Sequence, residues 1–98
     1  MAKHDFAHLF HQYPAIIAVM KKKRFTSHEF ILQLAQRNQK LYIAALNEYR
    51  RSSAPFQRVH SMLSKQLYKY PKLVKHVGNV PSRDIFGDPA NCAEWEKL

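Results

Sequence analysis

The chain is organised around residues 54–70, which read APFQRVHSMLSKQLYKY. Pro55 suits the first turn of a helix, where its missing N–H is not needed, and Ser53 just upstream can cap that helix. Apolar side chains recur at three- and four-residue steps and predict one buried stripe: Phe56, Val59, Leu63, Leu67 and Tyr70. The opposite face contains no acid: Gln57, Arg58, Ser61, Lys65, Tyr68, Lys69 and Lys72. This division predicts a helix with one side for a core and one side that is either solvated or in contact with an anion.

Composition predicts one small, mainly α-helical domain. The chain has 98 residues, 46% of them hydrophobic, and only two glycines. No apolar run approaches the ~18 residues that a membrane-spanning helix needs, and the N-terminus lacks the pattern of a signal peptide. Cys92 is the one cysteine, so no disulfide can form within the chain. We therefore expect a cytoplasmic protein with no membrane partner.

The positive charge is unevenly distributed. Residues 1–83 contain 15 Lys and Arg against three acids, whereas residues 84–98 contain Lys97 against four acids. A basic body with an acidic end favours a polyanionic partner such as nucleic acid.

The clearest local signal is a helix start at Thr26. Thr26 and Glu29 have the spacing of a capping box, and Phe25 can pack as a hydrophobic staple. An apolar stripe then continues to Arg51, except at a polar run where Asn38 falls on the apolar face. The pattern predicts two helices, at about 27–37 and 40–51.

Residues 1–24 form a predicted N-terminal helical segment, and residues 25–98 form the rest of a single domain. Pro14 either kinks one helix or separates two shorter ones, of which we favour the latter, and Asp5 can cap the first. Three histidines share one helical face: His4, His8 and His11. No carboxylate or cysteine at a matching step completes a metal site, so we predict none.

The C-terminal third is predicted to contain a turn between short apolar runs and a final short helix. Gly78-Asn79 is a turn signal between short apolar runs, which predicts a β-hairpin near residues 73–86, the wing of a winged helix. The alternative is an irregular segment that packs Val80, Ile85 and Phe86 over the core. Pro81 excludes a central strand. Asn91 is the predicted cap of a final short helix over 92–98, with Trp95 facing inward.

No residue pattern indicates catalysis. The seven acids form no recognisable pair, and the chain has no Gly-rich phosphate loop or nucleophile motif. His60 lies beside the predicted apolar stripe, as a boundary histidine satisfied by a neighbour. We therefore expect a protein that is not an enzyme and uses no cofactor.

Four segments resemble those of small bacterial proteins of unassigned function: FTSHEFI at 25–31, PFQRVH at 55–60, SRDIFG at 82–87 and CAEW at 92–95. This resemblance implies kinship and no activity. The order of elements over about 27–87 is also similar to helix-turn-helix and winged-helix domains, with helices 40–51 and 55–70 as the helix-turn-helix pair. That similarity implies DNA binding through the second helix.

We therefore predict a non-catalytic protein that binds nucleic acid, in particular DNA, through the basic face of helix 55–70. The predicted contact residues are Arg50, Arg51, Arg58, Ser61, Lys65, Lys69, Lys75 and Arg83. Arg50 and Arg51 touch phosphates at the start of the helix in this prediction, and Lys75 and Arg83 flank the wing. The alternative is a helical bundle that binds an acidic protein or a second copy of itself, or an accessory subunit of a larger assembly.

Overall fold

Helices come first along the chain and a β-hairpin comes last in the computed structural model, which describes residues 6–98. The helices are α1 (Ala7–Phe10), α2 (Tyr13–Val19), α3 (Ser27–Arg37), α4 (Gln39–Glu48) and α5 (Pro55–Gln66), which a 3₁₀ turn extends over Leu67–Lys69. The strands are β1 (Arg24–Thr26), β2 (Val74–Arg83) and β3 (Pro89–Lys97). Of residues 6–98, 51% are helical and 24% lie in strands, so the fold is α+β and the prediction of a mainly α fold was wrong.

The N-terminal segment is two short helices. α1 ends at Phe10 and α2 begins at Tyr13, with Pro14 in its first turn, where a missing N–H costs no hydrogen bond. The predicted cap at Asp5 and one of the three histidines, His4, lie outside the described residues.

The capping box at Thr26 is confirmed. The Glu29 backbone N–H donates to Thr26 Oγ1 over 3.1 Å, and the Thr26 N–H donates to Glu29 Oε1 over 3.0 Å. Burial raises the pKa of Glu29, but the hydrogen bonds from Thr26 and Lys22 outweigh it, so the pKa lies below its ordinary value. The break at Asn38 is also confirmed, since α3 ends at Arg37 and the Asn38 side chain donates to the Leu34 carbonyl at 3.2 Å.

Helix α5 is the predicted central helix, with two differences at its start. Its N-cap is Ala54, and no side chain caps it, so the predicted cap at Ser53 was wrong. Val59, Leu63 and Leu67 are fully buried as the stripe requires, whereas Phe56 is 37% exposed. The apolar stripe therefore marks the core over most of α5 but not in its first turn.

The β-sheet is the part of the fold that differs most from the sequence prediction. It is antiparallel, in the order β1-β3-β2, and β3 replaces the predicted helix over 92–98. The hairpin therefore runs over 74–97 rather than 73–86. Gly78 and Asn79 are no turn: they lie within β2, beside a bulge between His76 and Gly78. Because β2 is an edge strand, it accommodates Pro81 without losing a ladder bond.

The hairpin turns at residues 84–88, where one carboxylate organises the backbone. Asp84 Oδ1 accepts the N–H of Phe86 at 2.9 Å and that of Asp88 at 3.0 Å. Gly87 has a φ of +87°, which favours glycine, and its carbonyl accepts a hydrogen bond from Arg83 Nη1 at 2.8 Å. The turn is thus held by the chemistry of Asp84, Arg83 and Gly87.

One hydrophobic core joins the helices to the base of the hairpin. It includes Leu9 and Tyr13 from the N-terminal helices, Phe30 from α3, Leu63 from α5 and Trp95 from β3. Trp95 is 1% exposed and therefore faces inward as predicted, although from a strand. The Tyr13 hydroxyl donates to the Leu63 carbonyl at 2.6 Å, and burial, with a smaller contribution from Tyr70, raises its pKa far above the ordinary value.

Candidate nucleic-acid interface

An acid-free stretch of the chain, residues 49–83, supplies eight exposed cations. They are Arg50, Arg51, Arg58, Lys65, Lys69, Lys72, Lys75 and Arg83. The three ion pairs found within residues 6–98 all involve other cations, namely Lys22, Lys23 and Arg24. Within that described range, the eight cations therefore have no carboxylate partner within ion-pairing distance, and their charges face solvent.

Four of the predicted contact residues share one face of α5 and its 3₁₀ extension. Arg58, Ser61, Lys65 and Lys69 follow each other at three- and four-residue steps, and all four are exposed. The Arg58 guanidinium also lies over the Tyr49 ring, 5.5 Å from its centroid. This contact orients Arg58 and leaves its charge uncompensated.

Arg50 and Arg51 occupy the turn between α4 and α5, directly before the first turn of α5. Both are exposed, and Arg50 Nη1 donates to the Asn47 carbonyl at 3.3 Å. This position extends the positive charge of α5 past its N-terminus.

The structure does not bring Lys75 and Arg83 onto the face of α5. Lys75 is opposite Glu96 in the sheet, one residue from the buried row of Phe25 and Trp95. Because neighbouring residues of a strand point to opposite faces, Lys75 lies on the outer face of the sheet. Arg83 lies at the end of β2, where its guanidinium holds the hairpin turn.

The basic run 21–24 belongs to another part of the surface. Lys22 Nζ is 3.0 Å from Glu29 Oε2, and the side chains of Lys23 and Arg24 lie 3.8 and 3.6 Å from the Glu96 carboxylate. These pairs connect the run to α3 and β3 rather than to α5.

A groove of about 430 Å³ separates α5 from the hairpin. From α5 it is lined by Phe56, Gln57, His60, Ser61, Ser64, Lys65 and, in the 3₁₀ turn, Tyr68; from the hairpin by Asp84, Phe86 and residues 90–93. Two predicted contact residues, Ser61 and Lys65, therefore border the groove. Ser27, His28 and Ile31 of α3 close its floor.

His60 lies in this groove and is half-buried. Its Nε2 is 2.6 Å from the Tyr42 hydroxyl, so the predicted role of a boundary histidine satisfied by a neighbour is confirmed. Burial lowers the pKa of His60, the nearby His28 lowers it further, and Asp84 partly opposes both. Burial also raises the pKa of Tyr42 to about 12, so its hydroxyl stays protonated at neutral pH.

The groove's aromatic residues were not predicted as functional. The alternative reading of the C-terminal third placed Phe86 over the core, but it is 56% exposed, and Phe56 lies beside it. The signal available in the sequence was the segment SRDIFG, where Ser, Asp and Gly in close succession are typical of a turn.

Over residues 6–98, no cluster of three or more His, Cys, Asp or Glu residues could hold a metal ion. Within the same range, no helix combines the length and the apolar character needed to cross a membrane. In comparisons with known proteins, no family model, no curated protein and no solved structure matches this chain.

Proposed function

We propose that this protein binds nucleic acid, in particular DNA, without catalysing a reaction, through the exposed basic face of α5. The observation that carries the proposal is the row of exposed residues Arg58, Ser61, Lys65 and Lys69 along α5 and its 3₁₀ extension, whose cations have no carboxylate partner among the described residues. Polyanion binding releases counterions from the phosphate backbone, and unpaired exposed cations are the groups that produce this effect.

The arrangement of elements supports a particular docking geometry. α4 and α5 are joined by a short turn, and the β2–β3 hairpin follows α5. A helix pair followed by a hairpin is the arrangement that the resemblance to winged-helix domains implies. In that geometry α5 approaches the major groove, with Arg58 and Ser61 nearest the base edges and Lys65 and Lys69 on phosphates. A cytoplasmic location is part of the proposal and fits the free thiol of Cys92.

The test is a fluorescence-anisotropy titration with labelled duplex DNA, and with one of its strands, at about 50 and about 200 mM salt. We expect measurable binding at the lower salt and a steep loss at the higher one. Arg58→Ala and Lys65→Ala should each weaken duplex binding. Lys65→Ala, which removes a phosphate contact, should also reduce the slope of log affinity against log salt by about 0.9, whereas Arg58→Ala should relax sequence preference.

Lys21→Ala is the matched control, because it removes one exposed lysine outside the α5 surface. It should leave the salt slope nearly unchanged. Lys75→Ala then tests whether the outer face of the sheet belongs to the footprint. All variants should unfold within about 1 kcal/mol of wild type, since exposed side chains contribute little to stability and the largest loss is the contact of Arg58 with the Tyr49 ring. If wild type binds neither the duplex nor the single strand at low salt, the proposal fails, and sedimentation analysis then tests the alternative of a protein partner.

A further inference from the structure

The tip of the hairpin exposes an aromatic side chain on a turn that hydrogen bonds close. Phe86 is 56% exposed, yet its own backbone N–H is bonded to Asp84 and the turn around it is closed by Arg83 and Gly87. A large apolar ring that is held in place but left in water contributes little to folding. Its position is better accounted for by a contact with another molecule.

Phe86 is part of an ordered set of rings along the groove. The Phe56 ring meets it edge-on, with centroids 4.6 Å apart and planes at 76°. The His60 ring is nearly parallel to that of Phe86, 6.4 Å away at 17°, and stacks in turn on Tyr42 at 5.8 Å and 25°. Phe56 is itself 37% exposed, so two neighbouring rings present apolar surface to solvent.

The charges around the rings separate a phosphate side from a base side. Lys65 and Ser61 border the groove on α5, whereas Asp84 lies at the hairpin tip and Asp88 is exposed beside it. Carboxylates repel phosphate but accept hydrogen bonds from the amino groups of bases. A strand whose backbone follows α5 would therefore present a base, and not a phosphate, to Phe86.

We propose that Phe86, supported by Phe56, is a stacking platform for one unpaired base of the nucleic acid that α5 binds. The inference rests on the proposed function and specifies its ligand: nucleic acid that offers a backbone to α5 and an unpaired base to Phe86, such as a frayed duplex end, a loop or a single strand. An aromatic side chain stacks on any base, so the platform selects unpaired structure rather than sequence.

The first experiment varies the ligand and leaves the protein intact. Wild-type protein is titrated with two labelled single strands of equal length and charge, one carrying bases and one made of abasic sugar-phosphate units. We expect about tenfold tighter binding of the strand that carries bases, with the same salt slope for both. Equal affinities would overturn the stacking platform and leave the proposed function standing. Absence of binding by either strand and by duplex would overturn both.

The second experiment varies the platform. Phe86→Ala should weaken binding of the base-carrying strand by about tenfold and leave binding of the abasic strand unchanged. Phe86→Trp should restore that binding, and its exposed indole should lose fluorescence as the base-carrying strand is added. Ile43→Ala is the matched control, because Ile43 is an exposed apolar residue of α4, at 62%, outside the groove. It should change neither affinity.

The alternative is that a second copy of the chain, rather than a base, contacts the rings of Phe86 and Phe56. Sedimentation velocity of wild type and Phe86→Ala, without nucleic acid, separates the two cases. The platform requires the same monomeric sedimentation for both. A wild-type dimer that Phe86→Ala dissociates, together with equal binding of the two strands, would assign the rings to self-association and overturn the proposal.

Discussion

The two ends of the β2–β3 hairpin are built from the same pair of strands but have opposite environments. At the base, Trp95 is 1% exposed, and its Nε1–H donates to Ser27 Oγ at 2.8 Å. At the tip, Phe86 is 56% exposed, its backbone N–H is bonded to Asp84, and its ring contacts Phe56 edge-on. The base joins the hairpin to the core, whereas the tip projects a ring beside the basic face of α5.

This difference predicts that the base of the hairpin contributes to stability and its tip to binding. The rings of Tyr68 and His76 contact the Trp95 ring, with centroids at 4.8 and 5.2 Å, and Phe25 lies opposite Trp95 in the sheet. Substitutions at the base should therefore be measured as losses of folding free energy. Substitutions at the tip should be measured as losses of affinity, with folding nearly unaffected.

The largest expected effect is at the base. Trp95→Ala should lower the free energy of unfolding by roughly 3–5 kcal/mol, since it removes a buried ring and leaves a cavity. Trp95→Phe should cost clearly less, because it keeps an aromatic ring and leaves a smaller cavity, while Ser27 Oγ retains its 2.7 Å bond to Ser64 in both variants. Urea denaturation followed by circular dichroism measures both. Equal stability of wild type and Trp95→Ala would show that the base of the hairpin is not part of the core.

A smaller effect is expected at Thr26, which lies opposite Glu94 near the same end of the hairpin. Thr26→Ala should cost on the order of 1 kcal/mol, because the Glu29 N–H loses its acceptor. Thr26→Asp should keep most of that stability, since its carboxylate accepts the same N–H. The same denaturation curves measure both variants, and an equal loss in both would contradict the capping role.

His60, which lies on α5 in the groove beside the hairpin, should make the free energy of unfolding depend on pH. Its folded pKa lies below the unfolded value of about 6.5, so the unfolded chain binds the proton more readily. Stability should therefore fall as pH drops below about 6.5, until the folded pKa is passed. His60→Gln should show a shallower loss between about pH 7 and pH 5. His28→Gln should also make this loss shallower, because His28 contributes to lowering the pKa of His60. Parallel curves for wild type and His60→Gln would exclude this role.

The smallest effect on folding is expected at the tip. Phe86→Ala should change the free energy of unfolding by less than about 0.5 kcal/mol, because the turn is held by Asp84 and not by the ring. Asp84→Ala should cost more, as it leaves the Phe86 and Asp88 N–H groups without their acceptor. Denaturation of the two variants side by side measures this order, and the reverse order would place Phe86 in the folding core.

Local chemistry made several features predictable from sequence. The Thr26–Glu29 box and the Asn38 break depend on groups three or four residues apart, so the sequence contains both partners. The buried stripe at Val59, Leu63 and Leu67 follows from the helical period. The acid-free basic face of α5 could also be predicted, because it depends on composition and spacing alone.

The sheet and the groove were decided by tertiary contacts. β1 pairs with β3 across some 70 residues of chain, from Phe25 to Trp95, so no local pattern in residues 89–97 specifies a strand. The alanines and glutamates of that segment favour a helix in isolation, and the burial of Trp95 against Phe25 overrides that preference. Gly78-Asn79 is typical of a turn, but these two residues lie within β2 beside a bulge. The turn forms instead at Asp84, whose carboxylate accepts backbone hydrogen bonds. The position of Phe86 beside Phe56 follows from that long-range pairing, which the sequence alone does not contain.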